Sequence, residues 1–180
     1  MARVWQRLDD IWDEAQAMNT AAFQRFSPNP VLIAGEVRPG ALAHRDLKGS
    51  HNTMLHMSES GEVGDDDGQS TGRFTVIRRT VSDDFSEWIT LGRTSASDIM
   101  VNDYTVSKEH ARLRVSAVEQ ACVLQDVGST NGTFIAGQQV APHTDVLLKS
   151  AQTVRFGRYT FTYLVPADFQ LFLQISRMVG

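Results

Sequence analysis

The chain has 180 residues, 42% of them hydrophobic and 21% charged, a composition typical of soluble globular proteins and unlike a fibrous or wholly disordered one. Seventeen Lys and Arg against 21 Asp and Glu leave a formal net charge of −4, which argues against a generic nucleic-acid coat or a binder of anionic membranes. Cys122 is the single cysteine, so neither an intramolecular disulfide nor a multi-cysteine metal centre can form.

No stretch reaches the roughly 18 apolar residues of a spanning helix. The opening Met1–Asp10 has neither an unbroken apolar core nor a cleavage-like end, so a signal peptide is not expected. These features predict a cytoplasmic protein with no membrane contact.

Residues 1–26 carry a helical stripe. Val4, Leu8, Ile11, Ala15, Met18 and Ala22 recur at spacings of four and three, flanked by Trp5 and Trp12, which predicts an amphipathic helix. Such a helix either packs on its own domain or docks a partner or a second copy of the chain. Residues 27–72 differ in texture. They hold Pro28, Pro30, Pro39 and glycines 35, 40, 49, 61, 64, 68 and 72, and the run Glu59–Asp67 has five acids and no base. Only Val31–Ala34 is locally apolar. A segment of this kind buries too little to offset its ordering entropy, so a mobile acidic linker is predicted. Asp65-Asp66-Asp67-Gly68 lacks calcium-loop spacing, since the twelfth position is Val76 rather than an acid. His44, His51 and His56 are not spaced as metal ligands, and no metal or cofactor is implied.

Residues 73–165 read as short strands. Phe74–Ile77, Glu87–Leu91, His110–Val115, Ala121–Leu124, Thr133–Ile135, Val146–Leu148, Thr153–Phe156 and Tyr159–Leu164 are β-rich. Ala111, Leu113 and Val115 alternate with Arg112 and Arg114, so one face is buried and the other wet. Turn residues recur at Gly92, Asn102-Asp103, Gly128, Asn131-Gly132, Gly137 and Gly157. The pattern predicts an all-β antiparallel sandwich, with a hairpin crossing between Leu124 and Phe134. After Pro166, residues 166–180 predict a short C-terminal helix with Phe169, Phe172, Leu173 and Ser176 on one face.

Three loops of this region are rich in donors: Leu91-Gly92-Arg93, Val106–Ala111 and Asp126–Thr133. Loops at one end of a sandwich gather in space. Together these offer a guanidinium, an ammonium, hydroxyls, an amide and Gly-rich backbone N–H groups, with no obvious general base. That set suits an oxyanion such as phosphate. The four cations between residues 93 and 131 (Arg93, Lys108, Arg112, Arg114) face five acids (Asp98, Asp103, Glu109, Glu119, Asp126). Aimed donors, not a broad positive field, must therefore do the recognition, which disfavours nucleic acid further.

Gly92-Arg93, Ser107-x-x-His110 and Gly128-Ser129-Thr130-Asn131-Gly132-Thr133, in that order and at these intervals, resemble the forkhead-associated (FHA) domain. Ser97-Asp98-Ile99 and Val106 add to the likeness, which covers about residues 73–165. The resemblance implies an 11-stranded β-sandwich that recognises phosphothreonine in partner proteins. It implies that Arg93 pairs with the phosphate, and that Ser107 and the Lys108 backbone N–H donate to it. Thr130 would add a contact, and Asn131 would hold the peptide main chain. Gly92 and Gly132 would shape the loops, and His110 would brace them from beneath. Lys108 departs from the Arg or Asn common at that position in the family.

A phosphothreonine carries about −1.5 to −2 charge with three acceptor oxygens, which suits the planar fork of Arg93 better than a lysine. Three or four charge-assisted bonds of roughly 1.5–3 kcal/mol, less the cost of ordering a peptide, give affinity on the order of micromolar. The expected partner is a phosphothreonine protein, a substrate of a Ser/Thr kinase or the kinase itself. A non-enzymatic module is expected. A Ser107, His110 and Asp126 triad would be the enzymatic rival, but no nucleophile elbow accompanies it. The remaining alternative is a phosphate-independent scaffold that binds through the sandwich face or oligomerises through its terminal helices. Thr20, Thr53 and Thr71 are candidate phosphorylation sites that could occupy the domain's own groove.

Overall fold

The computed structural model describes residues 5–35, 73–80, 87–116 and 121–176. Glu59–Asp67, Thr53, Thr71 and the three linker histidines lie outside the described residues.

The β-rich runs of residues 73–165 form strands, and shorter ones join them. In chain order they are β1 (Gln6–Arg7), β2 (Val31–Ala34), β3 (Arg73–Val76), β4 (Ile89–Gly92), β5 (Ile99–Met100), β6 (Ala111–Ser116), β7 (Ala121–Asp126), β8 (Thr133–Ile135), β9 (Gln138–Gln139), β10 (Val146–Leu148), β11 (Thr153–Phe156) and β12 (Tyr159–Leu164). The helices are α1 (Leu8–Ala17), α2 (Thr20–Phe26) and α3 (Pro166–Ser176). One sheet has seven strands in the order β1-β3-β2-β12-β11-β8-β9, and the other has five in the order β10-β7-β6-β4-β5. All pairings are antiparallel except β4 with β5, which run parallel. The architecture is therefore the predicted β-sandwich, with one parallel pair at an edge.

Between the sheets lies the main core. Leu91, Ala111, Leu113, Cys122 and Leu124 of the smaller sheet meet Leu32, Val154, Phe156, Phe161 and Tyr163 of the larger. Burial pushes the Cys122 thiol up to about 12, so it stays protonated and behaves as a small apolar group.

Two sequence expectations need correction. The linker was expected from residue 27, yet Val31–Ala34 is a fully buried strand inside the larger sheet, between β3 and β12. Leu32 and Ala34 face the sandwich core, whereas Val31 and Ile33 face the opposite way, onto a layer of helices. A strand buried on both faces has no polar alternation, so the four-residue apolar run read as a patch in a linker. The sandwich thus recruits residues before 73. The single helix expected over 1–26 is two helices, because Met18 is extended and Asn19 caps α2 by accepting from the Ala22 N–H at 2.9 Å. An Asn side chain bonding the following turn favours a new helix start over continuation.

The helices pack on the outer face of the seven-stranded sheet. Leu8, Ala15 and Phe23 join Phe169, Phe172 and Leu173 over Val31, Ile33, Phe74 and Leu164. Pro166 is the first residue of α3, as expected. Trp5 belongs to the other core: it stacks on Phe161 with centroids 5.3 Å apart and donates to the Met100 carbonyl at 2.7 Å. Among the described residues no helix is long and apolar enough to cross a membrane.

Candidate functional site

Arg93 follows β4, Ser107 and Lys108 precede β6, and Thr130 and Asn131 sit between β7 and β8. The 127–132 segment passes from the five-stranded to the seven-stranded sheet and so does not close a hairpin, because β7 and β8 belong to different sheets.

Backbone hydrogen bonds draw the three loops together. The Arg93 N–H donates to the Ser107 carbonyl at 2.9 Å, the His110 N–H to Leu91, and the Val127 N–H to His110. Gly92 lies where the chains approach most closely. A Cβ there would stand 2.1 Å from the Lys108 carbonyl oxygen and 2.7 Å from the Ser97 Oγ, so no other residue fits without displacing backbone. Gly132 has φ +76°, and a Cβ would meet Gln139 at 2.7 Å. At both glycines a side chain would collide with a neighbouring segment.

His110 is fully buried beneath them. Its Nδ1 accepts from the Ser107 N–H at 3.0 Å, and its Nε2 lies 3.2 Å from the Gly132 carbonyl. A backbone N–H can only donate and a carbonyl only accept, so the ring is the neutral Nε2–H tautomer. Burial holds its pKa below the usual value, against the opposing effects of the Gly132 carbonyl and Asp126. His110 thus bonds the loop before β6 to the loop before β8.

The remaining predicted site residues lie on the same three loops. The Thr130 N–H donates to the Ser107 Oγ at 3.0 Å, and the two hydroxyls are 3.4 Å apart. That arrangement fixes the serine oxygen while leaving the Thr130 hydroxyl exposed. Asn131 is exposed, and its Nδ2 donates to the Thr105 carbonyl at 2.8 Å. The Arg93 guanidinium and the Lys108 ammonium make no hydrogen bond or ion pair among the described residues. The five predicted contact residues thus lie on loops joined by direct bonds. The enzymatic rival fails on geometry. His110 meets the backbone N–H of Ser107, not its hydroxyl, and the Asp126 carboxylate is directed into its own loop. Among the described residues no cluster of His, Cys, Asp or Glu could hold a metal ion.

Two buried acids escaped the sequence-based site. Asp126 accepts from the Gly128 and Ser129 N–H groups, both at 2.8 Å, and from the Ser129 and Thr133 hydroxyls, both at 2.6 Å. Burial alone would raise its pKa, but these bonds prevail and hold it below the usual carboxylate range. Asp103 accepts from the Thr105 N–H and hydroxyl and from Arg158. An Asp two residues before a loop N–H is the Asx-turn pattern, and Asp126-x-Gly128 and Asp103-x-Thr105 both carry that signal.

Residues 89–157 match the model of the FHA domain family, and the chain carries an FHA domain there. Over 75 residues it is 35% identical to the oxoglutarate dehydrogenase inhibitor of Corynebacterium efficiens, covering 42% of this chain and 49% of that protein. It is 36% identical over 73 residues to the glycogen accumulation regulator GarA of Mycolicibacterium smegmatis, covering 41% of this chain and 43% of GarA. The chain therefore spans about half the length, or less, of the curated relatives it matches. Among solved structures, it is similar to the N-terminal FHA domain of S. cerevisiae Rad53p in complex with a phosphothreonine peptide, at 24% identity and TM-score 0.41, covering 46% of this chain and 71% of that one.

Proposed function

We propose that this chain binds phosphothreonine in a partner protein, through Arg93, Ser107, Lys108, Thr130 and Asn131, and links a Ser/Thr kinase's output to an assembly. One observation carries the reading. Two cations without a partner among the described residues, Arg93 and Lys108, stand on segments tied by the Arg93–Ser107 backbone bond. Structural arginines normally find a carboxylate or carbonyl; one left over on a segment whose backbone is bonded to the Ser107 loop suits a dianion from outside. The bracing supports this, since His110 and Asp126 occupy the loop N–H groups that face inward. The relatives' names, an inhibitor and a regulator, suit a module that acts by binding. Threonine would be preferred to serine by about 1 kcal/mol if its methyl is buried.

A screen of phosphothreonine peptide libraries and their unphosphorylated counterparts tests the proposal. Retention of phosphorylated peptides alone is expected, with retention lost in Arg93→Ala; equal retention of both pools would refute it. A second reading has one observation in its favour. On the outer face of the five-stranded sheet, Arg114, Val123 and Leu147 line a cleft of about 500 Å³, with Leu147 55% exposed. A partner docking there would need no phosphate, and equal retention would point to that cleft.

A further inference from the structure

The two outer faces of the sandwich differ. The helical layer covers the seven-stranded sheet, and among the described residues no helix covers the five-stranded one. On that open face, the pairing of β6, β7 and β10 sets Arg114, Val123 and Leu147 in one row across three strands. The row lines the cleft of about 500 Å³ described above. Trp88, just before β4, has its ring centre 4.3 Å from the Arg112 guanidinium and 4.8 Å from that of Arg114. Arg112 also donates to the Gln125 side chain at 2.9 Å, and exposed Lys149 follows β10. Two acids share the face. Glu87 lines the cleft, and Asp145 lies 3.6 Å from Arg114 and accepts from Gln125 at 2.7 Å.

The helical layer has the opposite character. Asp9, Asp10, Asp13 and Glu14 of α1 are all exposed, against exposed Arg7 and Arg25. Phe26 of α2 and Leu171 of α3 are 49% and 42% exposed. Each face is thus an apolar patch with a charged border, and the borders differ in sign. Like faces brought together would set acids on acids or cations on cations, whereas unlike faces attract. We propose that copies of this chain associate head to tail: the helical layer of one molecule, through Phe26, Leu171 and the α1 acids, docks on the open sheet of the next. The two faces point away from each other, so the contact is heterologous and leaves one of each free at the ends, and association continues beyond a dimer. The sheet is four strands wide here, about 15 Å, so each contact is small and reversible. Arg93, Ser107, Lys108, Thr130 and Asn131 lie on loops at strand ends, on neither face. This association is therefore independent of phosphothreonine binding, and a row of copies would present several sets of loops to one partner.

Sedimentation velocity of the full chain, from low micromolar to submillimolar concentration, tests the proposal. In wild type the sedimentation coefficient is expected to rise with concentration, and added salt should lower it by screening the borders. Leu147→Glu spoils the sheet face and Leu171→Glu the helical face. Both side chains are exposed, so each variant should keep the wild-type Tm, and each alone should self-associate at least about tenfold more weakly. Mixed in equal amounts, the two variants should form dimers with one copy of each and nothing larger, because each retains the face the other has lost. Wild type that stays monomeric at every concentration overturns the proposal. So does association that salt leaves unchanged, that either variant retains alone, or that the mixture fails to restore.

Discussion

At the loop end of the sandwich, the buried groups are polar. His110, Asp103 and Asp126 each hold backbone N–H or carbonyl groups of a loop, and the Arg93 and Lys108 side chains make no hydrogen bond or ion pair among the described residues. On the opposite flank, Phe23, Ile33, Phe74, Phe169 and Leu173 pack a helical layer against the seven-stranded sheet, with Gln170 donating to the Met18 carbonyl at 2.9 Å as a polar clamp. Directional bonds fix the shape of irregular loops, which apolar contact alone cannot specify. Non-directional burial suffices where regular elements meet face to face. The contrast predicts that stability and binding separate by region.

The largest expected effect lies in the helical layer. Phe169 is fully buried between Phe23 and Phe74, so Phe169→Ala should cost about 3–5 kcal/mol in denaturant unfolding. Phosphopeptide affinity of the folded fraction should not change. Arg93→Ala should do the reverse. Losing two charge-assisted bonds should weaken phosphothreonine binding at least about 100-fold in calorimetry, while the Tm should stay nearly unchanged because the guanidinium makes no hydrogen bond or ion pair among the described residues. His110→Ala joins the two behaviours. It strands the Ser107 N–H and the Gly132 carbonyl, so a loss of about 2–4 kcal/mol in stability should come with weaker binding.

The smallest effect is a pH slope. The folded pKa of His110 lies below its unfolded value of 6.5, so the unfolded chain binds the extra proton first. The associated stability is fully present above about pH 6.5 and is lost as pH falls from there through the lower folded pKa. Asp126, whose pKa is also depressed, contributes stability throughout this range and loses it only as pH falls below its usual value of 3.8. Unfolding measured from pH 7.5 to 5 should show decreasing stability in wild type and a flatter slope in a His110→Gln variant.

The same contrast explains what the sequence revealed. Strands with one wet face, such as Ala111–Ser116, display their alternation and were legible. So was the ordered set Gly92-Arg93, Ser107-x-x-His110 and Asn131-Gly132, which carries its loop chemistry in residue type. Val31–Ala34 was not legible as a strand, because burial on both faces erases period two and proline- and glycine-rich sequence surrounds it. The break at Met18-Asn19 was masked by a stripe that continues across it. The two-residue strands β1, β5 and β9 are too short for any periodicity. The roles of Asp103 and Asp126 depend on burial, which residue type alone does not convey: as bare acids they counted only against a broad positive field, whereas folded they hold the loops of the candidate site in shape.

The most direct test of the account is an NMR titration of the ¹⁵N-labelled chain with a phosphothreonine peptide taken from the library screen. The account predicts that the largest shifts fall on the Arg93 side chain and on the amides of Ser107, Lys108, Thr130 and Asn131, and vanish when the phosphate is removed. Shifts centred instead on Arg114, Val123 and Leu147, or on the helices around Phe26 and Leu171, and indifferent to the phosphate, would contradict it.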